Sequence, residues 1–95
     1  MTPSQCRAAR ALLDMTQPEL AEAAQLGLST IVDFEKSRRE LSPDATEKIR
    51  AALESAGIVL LDAGANRDGG PGVRLRDGLS SETISLADLN ASNDD

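Results

Sequence analysis

The side chains that could carry out chemistry are few in this 95-residue chain, and their types exclude several kinds of site. There is no His and no Tyr, so the usual proton shuttle at neutral pH and the commonest metal ligand are both missing. The single cysteine, Cys6, cannot form a disulfide within the chain or supply a thiolate-rich zinc site, and we interpret it as a small buried apolar side chain. We therefore expect no catalytic residues, no metal site, no cofactor and no enzymatic activity.

The densest cluster of positive charge is the segment Lys-Ser-Arg-Arg at residues 36–39. Ammonium and guanidinium groups at this density can bind phosphate, and the same cluster can equally be a solvated surface loop. Arg38 and Arg39 have a further alternative, which is to pair with Glu35 or Glu40.

The formal net charge of −6 argues at first against binding to nucleic acid. The charge is unevenly distributed, however. Residues 1–76 hold all 10 basic and 11 acidic residues and so carry −1, whereas residues 77–95 hold five acidic residues and no basic one. The acidity therefore belongs mainly to the C-terminal segment, and the preceding part is close to neutral.

Four helices are predicted in the first 57 residues, because apolar residues recur there at helical spacing. Thr2, Thr16 and Ser42 can each cap a helix, and a proline follows each of them within two positions. Gly57 is a typical stop for the fourth helix. We expect the first helix at residues 3–14, the second from Thr16 until the Gln25-Leu26-Gly27 break, the third at 28–36, and the fourth between Ser42 and Gly57.

The buried side of these helices follows from the same spacing. Leu20, Ile31, Phe34, Ile49 and Leu53 are predicted to form the core. Smaller contributions are expected from the first two helices, through Cys6, Ala9, Leu12, Leu13, Ala21, Ala23 and Ala24. In the break before the third helix, we expect Gly27 to adopt the positive φ of a tight turn.

After Gly57 the pattern changes to short apolar runs. Residues 58–61 and 73–76 predict two strands of a β-hairpin around a loop rich in Gly and Asp. An isolated hairpin is marginally stable in water, so it must lie on the helices or pair with a second chain. We predict a homodimer whose contacts come from the hairpin residues Ile58, Val59, Leu60, Leu61, Val73 and Leu75.

The acidic segment 77–95 has two interpretations. Its Ser, Asn and Asp content favours disorder, and the alternative is a short amphipathic helix over about 85–90. We expect this tail to compete electrostatically with DNA for the basic loop.

Residues 16–39 combine a short helix, a sharp turn, a second short helix and a basic loop. This order is typical of a helix-turn-helix unit, in which the second helix enters the DNA major groove. Apolar residues must hold the two helices together, and the outer side of the second helix must offer groups to base edges.

The sequence also resembles the lambda-repressor-like (Xre-type) helix-turn-helix family over roughly residues 4–56. The matching residues are Thr16-Gln17, Leu20-Ala21, Ala24, Ile31, Phe34-Glu35 and Arg39. The resemblance implies a compact helical DNA-binding domain of usually dimeric transcriptional regulators. It implies that Glu35 is a structural partner of Arg10 or of the loop arginines. Base-reading residues are expected at Leu28, Ser29, Thr30, Val32 and Asp33, and phosphate-binding residues at Gln17, Lys36, Arg38 and Arg39.

Several positions depart from the family pattern. Gln25 and Ser37 stand where glycine is common, Gly27 stands where a Ser or Thr cap is usual, and the hairpin replaces a fifth helix. Leu28 can contact only apolar surface such as a thymine methyl, and the Asp33 carboxylate can only accept a hydrogen bond.

We therefore predict a mainly α fold: a four-helix domain at residues 1–57, a hairpin at 58–76 and an acidic tail at 77–95. The predicted function is a sequence-specific, dimeric transcriptional regulator that binds double-stranded DNA with helix 28–36 in the major groove. The alternative is a protein-interaction module on the same scaffold, such as an antiactivator or an antitoxin-like protein, with a protein partner. We expect a cytoplasmic protein associated with the nucleoid, because no apolar run is long enough to span a membrane and the N-terminus does not resemble a signal peptide.

Overall fold

In the part of the chain that the structure describes, four helices are followed by a two-stranded antiparallel sheet, as the sequence predicts. The computed structural model describes residues 1–65 and 68–76, so the acidic tail at 77–95 lies outside the described residues. The elements in chain order are α1 (Pro3–Leu13), α2 (Gln17–Ala24), α3 (Leu28–Glu35), α4 (Pro43–Ser55), β1 (Ile58–Leu61) and β2 (Gly72–Leu75).

Each predicted cap is present at the start of its helix. The Thr16 hydroxyl accepts a hydrogen bond from the backbone N–H of Glu19, and the Glu19 carboxylate accepts one from the N–H of Thr16. Thr2 and Gln5 make the same reciprocal pair at α1. Ser42 accepts from the N–H of Ala45 at α4. These caps satisfy N–H groups that have no partner within the helix.

Some predicted boundaries were wrong by one residue. Asp14 and Lys36 are cap residues and not members of α1 and α3. The second strand begins at Gly72 and ends at Leu75, one position earlier than the sequence pattern indicated. Asp14 ends α1 because its φ is 53°. Lys36 and Arg76 still donate backbone hydrogen bonds, to the carbonyls of Val32 and Gly57, so a difference of one residue at these ends is within the usual uncertainty of element boundaries.

The core lies between the helices and the inner side of the hairpin. The five predicted core residues, Leu20, Ile31, Phe34, Ile49 and Leu53, are all buried. Two predictions about the helix faces were wrong, because Ala23 and Leu12 are exposed. The other buried apolar residues are Cys6, Ala9, Ala21, Ala24 and Ile58.

The turn between α2 and α3 uses a different residue from the one predicted. Gln25 adopts the left-handed conformation with φ 58°, whereas Gly27 has φ −68° and is the N-cap of α3 without a side-chain cap. The N–H of Leu26 donates to the carbonyl of Ala21, and the N–H of Gln25 donates to that of Glu22. This is the Schellman arrangement, which requires positive φ at the residue just after the helix.

The hairpin lies on the helices of its own chain, which is one of the two predicted alternatives. β1 packs against α4 and β2 packs against α1, and Ile58 faces Leu75 across the antiparallel pair. The buried side chain of Gln5 donates from Nε2 to the carbonyls of Leu61 and Gly72, each at 2.9 Å. One amide group therefore caps α1 and attaches the end of the hairpin to it.

We expect Gln25→Gly to stabilise the protein by about 1 kcal/mol, because glycine adopts left-handed φ without the steric cost that Gln25 carries. Ala23→Gly is the matched control, since Ala23 is exposed in the last turn of the same helix. This control should destabilise by about 1 kcal/mol, because glycine is a poor helix former. Urea denaturation of both variants measures the effect. A loss of stability in Gln25→Gly would contradict the assigned turn geometry.

Candidate nucleic-acid interface

The orientation of α3 is determined by three buried residues on one side of the helix. Ile31 and Phe34 belong to the apolar core, and Glu35 is buried beside them. The opposite side of α3 therefore faces away from the protein body. α2 packs against α3, so the pair has the arrangement that a helix-turn-helix unit requires.

The five predicted base-reading residues lie along α3 in three different environments. Leu28 is 46% exposed and Ser29 is also exposed. Val32 and Asp33 are half-buried on the outer side of the helix. Thr30 is half-buried, and its hydroxyl accepts a hydrogen bond from Nη1 of Arg39 at 3.0 Å. The structure thus connects a predicted base-reading residue to a predicted phosphate-binding residue.

The basic loop begins at a second Schellman arrangement, at the end of α3. The N–H of Arg38 donates to the carbonyl of Asp33 at 2.8 Å, and the N–H of Ser37 donates to that of Phe34 at 3.0 Å. Ser37 has φ 61°, which explains why glycine is common at its position in the family. This backbone geometry keeps the start of the loop next to α3.

The three predicted cationic ligands of phosphate, Lys36, Arg38 and Arg39, are exposed. Within residues 1–65 and 68–76, none of the three forms an ion pair with a carboxylate. The alternative pairing of Arg38 and Arg39 with Glu35 is wrong, because Glu35 pairs with Arg10. The positive charge of the loop is therefore available to a ligand.

The carboxylate of Glu35 connects α1, α2 and α3, and the Glu35 side chain is 2% exposed. Arg10 binds it with two hydrogen bonds, from Nη2 to Oε1 and from Nε to Oε2, each at 2.7 Å. Oε1 also accepts from Nε2 of Gln17 at 3.0 Å, and Oε2 accepts from Sγ of Cys6 at 3.1 Å. Arg7 donates to the backbone carbonyl of Glu35.

The resemblance to the family implied that Glu35 pairs with Arg10 or with the loop arginines, and the structure shows Arg10. The contributions of Cys6 and Gln17 were missed. Cys6 and Arg10 lie one helical turn apart on α1, and this spacing was the available signal. Gln17 was predicted to bind phosphate. In the structure it is half-buried at the start of α2, and one N–H of its amide group points to Glu35.

The pKa values of this buried group reflect the competition between burial and hydrogen bonding. Burial alone disfavours the charged form of Glu35, but hydrogen bonds from Arg10, Cys6 and Gln17 and the charge of Arg10 outweigh it, so the pKa of Glu35 lies below its usual range. Burial, followed by the contact with Glu35, raises the pKa of Cys6 far above its ordinary value. Glu35 is therefore ionised and Cys6 is a neutral thiol at physiological pH.

The cations of the basic loop can bind a polyanion beside α3. The outer side of α3 itself carries apolar side chains, hydroxyl groups and the carboxylate of Asp33. In the described part of the chain, no group of three or more Cys, Asp or Glu side chains is placed to hold a metal ion. None of the described helices is long and apolar enough to cross a membrane.

A comparison with protein-family models identifies the class of this protein. A helix-turn-helix family model matches residues 7–56, which is more than half of the chain. The chain belongs to the lambda-repressor-like (Xre-type) helix-turn-helix family, whose members are DNA-binding, non-enzymatic regulators of transcription. No curated protein matches the chain.

We expect Glu35→Gln to destabilise the protein by about 2 kcal/mol at pH 7, because it leaves the partly buried Arg10 without its counter-charge. The pKa of Glu35 is lowered in the folded state, so its contribution is complete above the unfolded value of about 4.3 and is lost as the pH falls through the folded value. The difference between wild type and Glu35→Gln should therefore be constant from about pH 7 to 5 and shrink at lower pH.

Chemical denaturation of both proteins at several pH values measures this difference. The control is Glu54→Gln, which removes an exposed carboxylate paired with Arg50 on α4. Its effect should stay below about 1 kcal/mol. A difference for Glu35→Gln that persists unchanged at low pH would show that the ionised carboxylate does not stabilise the fold.

Proposed function

We propose that this protein is a sequence-specific transcriptional regulator that binds double-stranded DNA as a dimer, with α3 in the major groove. The observation that carries the proposal is the packed α2–turn–α3 unit, whose second helix presents its outer side next to the basic loop. Among the described residues, no carboxylate pairs with the cations of this loop. The family to which the chain belongs supports DNA binding in general.

The proposed phosphate contacts lie at the start of α2 and in the loop that follows α3. Gln17 lies at the start of α2, where the helix dipole favours an anion, and its amide keeps a second N–H besides the one bonded to Glu35. Lys36 and Arg38 lie in the loop just after the end of α3. The body of the chain carries about −1 in total, so affinity depends on how these few cations are placed and not on overall charge.

We expect Arg38→Ala to weaken binding to all duplexes by a similar factor. Loss of one phosphate contact from each subunit of the proposed dimer should reduce the slope of log affinity against log salt by about 1.8, which is about 0.9 for each contact. Fluorescence anisotropy with a duplex from the protein's own promoter region, titrated at several salt concentrations, measures both quantities. The control is Lys48→Ala, which removes one positive charge from α4, where Lys48 pairs with Asp44. Equal slopes for Arg38→Ala and wild type would contradict the proposed phosphate contact.

The proposed dimer surface is smaller than the sequence suggested. Ile58 is 1% exposed and belongs to the chain's own core, so it cannot offer its side chain to a second copy. Leu60 and Val73 also pack against this core, whereas Leu75 is 44% exposed, and Val59 and Leu61 are half-buried. We propose that the domain at 1–57 binds DNA. We also propose that Val59 and Leu61, which lie on the side of the hairpin opposite to Ile58, form the apolar contact between two hairpins. Leu75 is paired with Ile58 and therefore lies on the inner side, so it is not part of this contact.

We expect the wild-type protein to sediment as a dimer at micromolar concentration and Val59→Lys to shift it to a monomer, because Val59 lies on the outer side of the hairpin. Leu12→Lys is the control, because Leu12 is an exposed apolar residue that lies on α1. If the wild type is a monomer at high micromolar concentration, or if only Leu12→Lys dissociates it, the proposed hairpin contact is wrong.

A second candidate function is binding to another protein through the outer side of α3. It is favoured by Leu28, whose side chain is 46% exposed, and by Asp33, which a DNA phosphate would repel. A pull-down with the full chain distinguishes the two candidates. Recovery of duplex DNA without a protein partner would count against this second function.

A further inference from the structure

The outer side of α3 lacks the side chains that recognise purines in the major groove. Arg and Lys donate to O6 and N7 of guanine, and Asn and Gln pair with adenine. The sequence of α3, Leu-Ser-Thr-Ile-Val-Asp-Phe-Glu, contains none of these four residue types. Leu28 and Val32 can contact a thymine methyl, and Asp33 can accept from N4 of cytosine.

Arg39 belongs to the loop, but its side chain lies next to α3. Its Nη1 donates to Oγ1 of Thr30 at 3.0 Å, nine residues earlier in the chain. Thr30 and Asp33 are three residues apart on α3 and so occupy neighbouring positions on its surface. The hydrogen bond therefore holds the guanidinium group of Arg39 against α3, beside the outer side of this helix.

The contact to Thr30 leaves enough donors for a base. A guanidinium group has five N–H donors in a fixed planar arrangement, and the bond to Thr30 uses one of them. Two parallel N–H groups are still available to reach O6 and N7 of guanine together. Among the described residues, Arg39 has no carboxylate partner that would compete for them.

We propose that Arg39 recognises guanine in the major groove and that Thr30 is the positioning residue that directs its guanidinium group. Arg39 would then specify sequence instead of only binding phosphate, and Thr30 would act through Arg39 without contacting a base. This proposal rests on the proposed function, since it assumes that α3 enters the major groove.

The first experiment selects duplexes from a random library with the full-length wild type, Arg39→Ala and Arg38→Ala. We expect the wild type to enrich a motif with guanine at one or more fixed positions. Arg39→Ala should lose the preference for guanine at one position and keep the rest of the motif. Arg38→Ala is the matched control, because it removes the same charge from the neighbouring residue, and it should keep the whole motif at lower affinity.

The second experiment replaces the selected guanine with 7-deazaguanine, which still pairs with cytosine but lacks the N7 acceptor. Binding of the wild type should weaken by about 5-fold or more, whereas that of Arg39→Ala should be unaffected by the replacement. Arg39→Lys retains the charge but lacks the rigid planar pair of N–H donors, so it should show a weakened preference for guanine with an unchanged salt slope.

The role of Thr30 is tested by comparing Thr30→Val with Thr30→Ser. The valine variant has a similar shape but no hydroxyl, so it should lose guanine discrimination while its thermal unfolding stays close to that of the wild type. The serine variant keeps the hydroxyl and should restore the discrimination. Equal discrimination by the valine variant and the wild type would overturn the positioning role.

The outcomes separate this inference from the proposed function. If the wild type enriches a motif and Arg39→Ala keeps its guanine, or weakens all sequences equally, Arg39 is a phosphate ligand and the inference is wrong while the proposed function stands. If the wild type enriches no sequence above nonspecific binding, the proposed function and the inference both fail.

Discussion

The packing of the first three helices depends on the ion pair and hydrogen bonds of the buried Glu35 carboxylate. This carboxylate accepts hydrogen bonds from Arg10 and Cys6 on α1 and from Gln17 on α2, while it belongs to α3 itself. Four donors on two oxygens compensate for the removal of a charge from water. Because Glu35 is on the inner side of α3, the same interaction helps to determine which side of the helix faces outward.

The orientation of α3 determines which of its side chains are exposed. α3 uses its inner side for the core and for Glu35. The rest of its surface carries apolar residues, the hydroxyls of Ser29 and Thr30 and one carboxylate, but no cation or amide. The positive charge lies instead in the loop that follows, where the Schellman arrangement at Ser37 and the hydrogen bond from Arg39 to Thr30 keep it close to the helix. In the complex with DNA that we propose, α3 offers few groups that bind a base, and the loop supplies the hydrogen-bond donors.

Both polar and apolar side chains join the hairpin to the helical domain. Gln5 donates to two carbonyls of the hairpin, and Ile58 completes the core beside α4. A two-stranded sheet of this size would be marginal alone, and its contacts with α1 and α4 remove that limitation within a single chain. The surface that remains for a second copy is consequently restricted to the outer side chains of the hairpin.

The sequence by itself determined the number and order of the elements, because capping residues and helical spacing act over three or four positions. Thr2, Thr16 and Ser42 start their helices as predicted, and the predicted core residues are buried. The tertiary structure decided where the left-handed residue of the turn falls, since the last hydrogen bonds of α2 place it at Gln25 and not at Gly27. It also decided the contacts of Gln17 with Glu35 and of Arg39 with Thr30. These pairs are 18 and 9 residues apart, and only the packing of α2 and the path of the loop bring their side chains together, so no local pattern in the sequence could predict them.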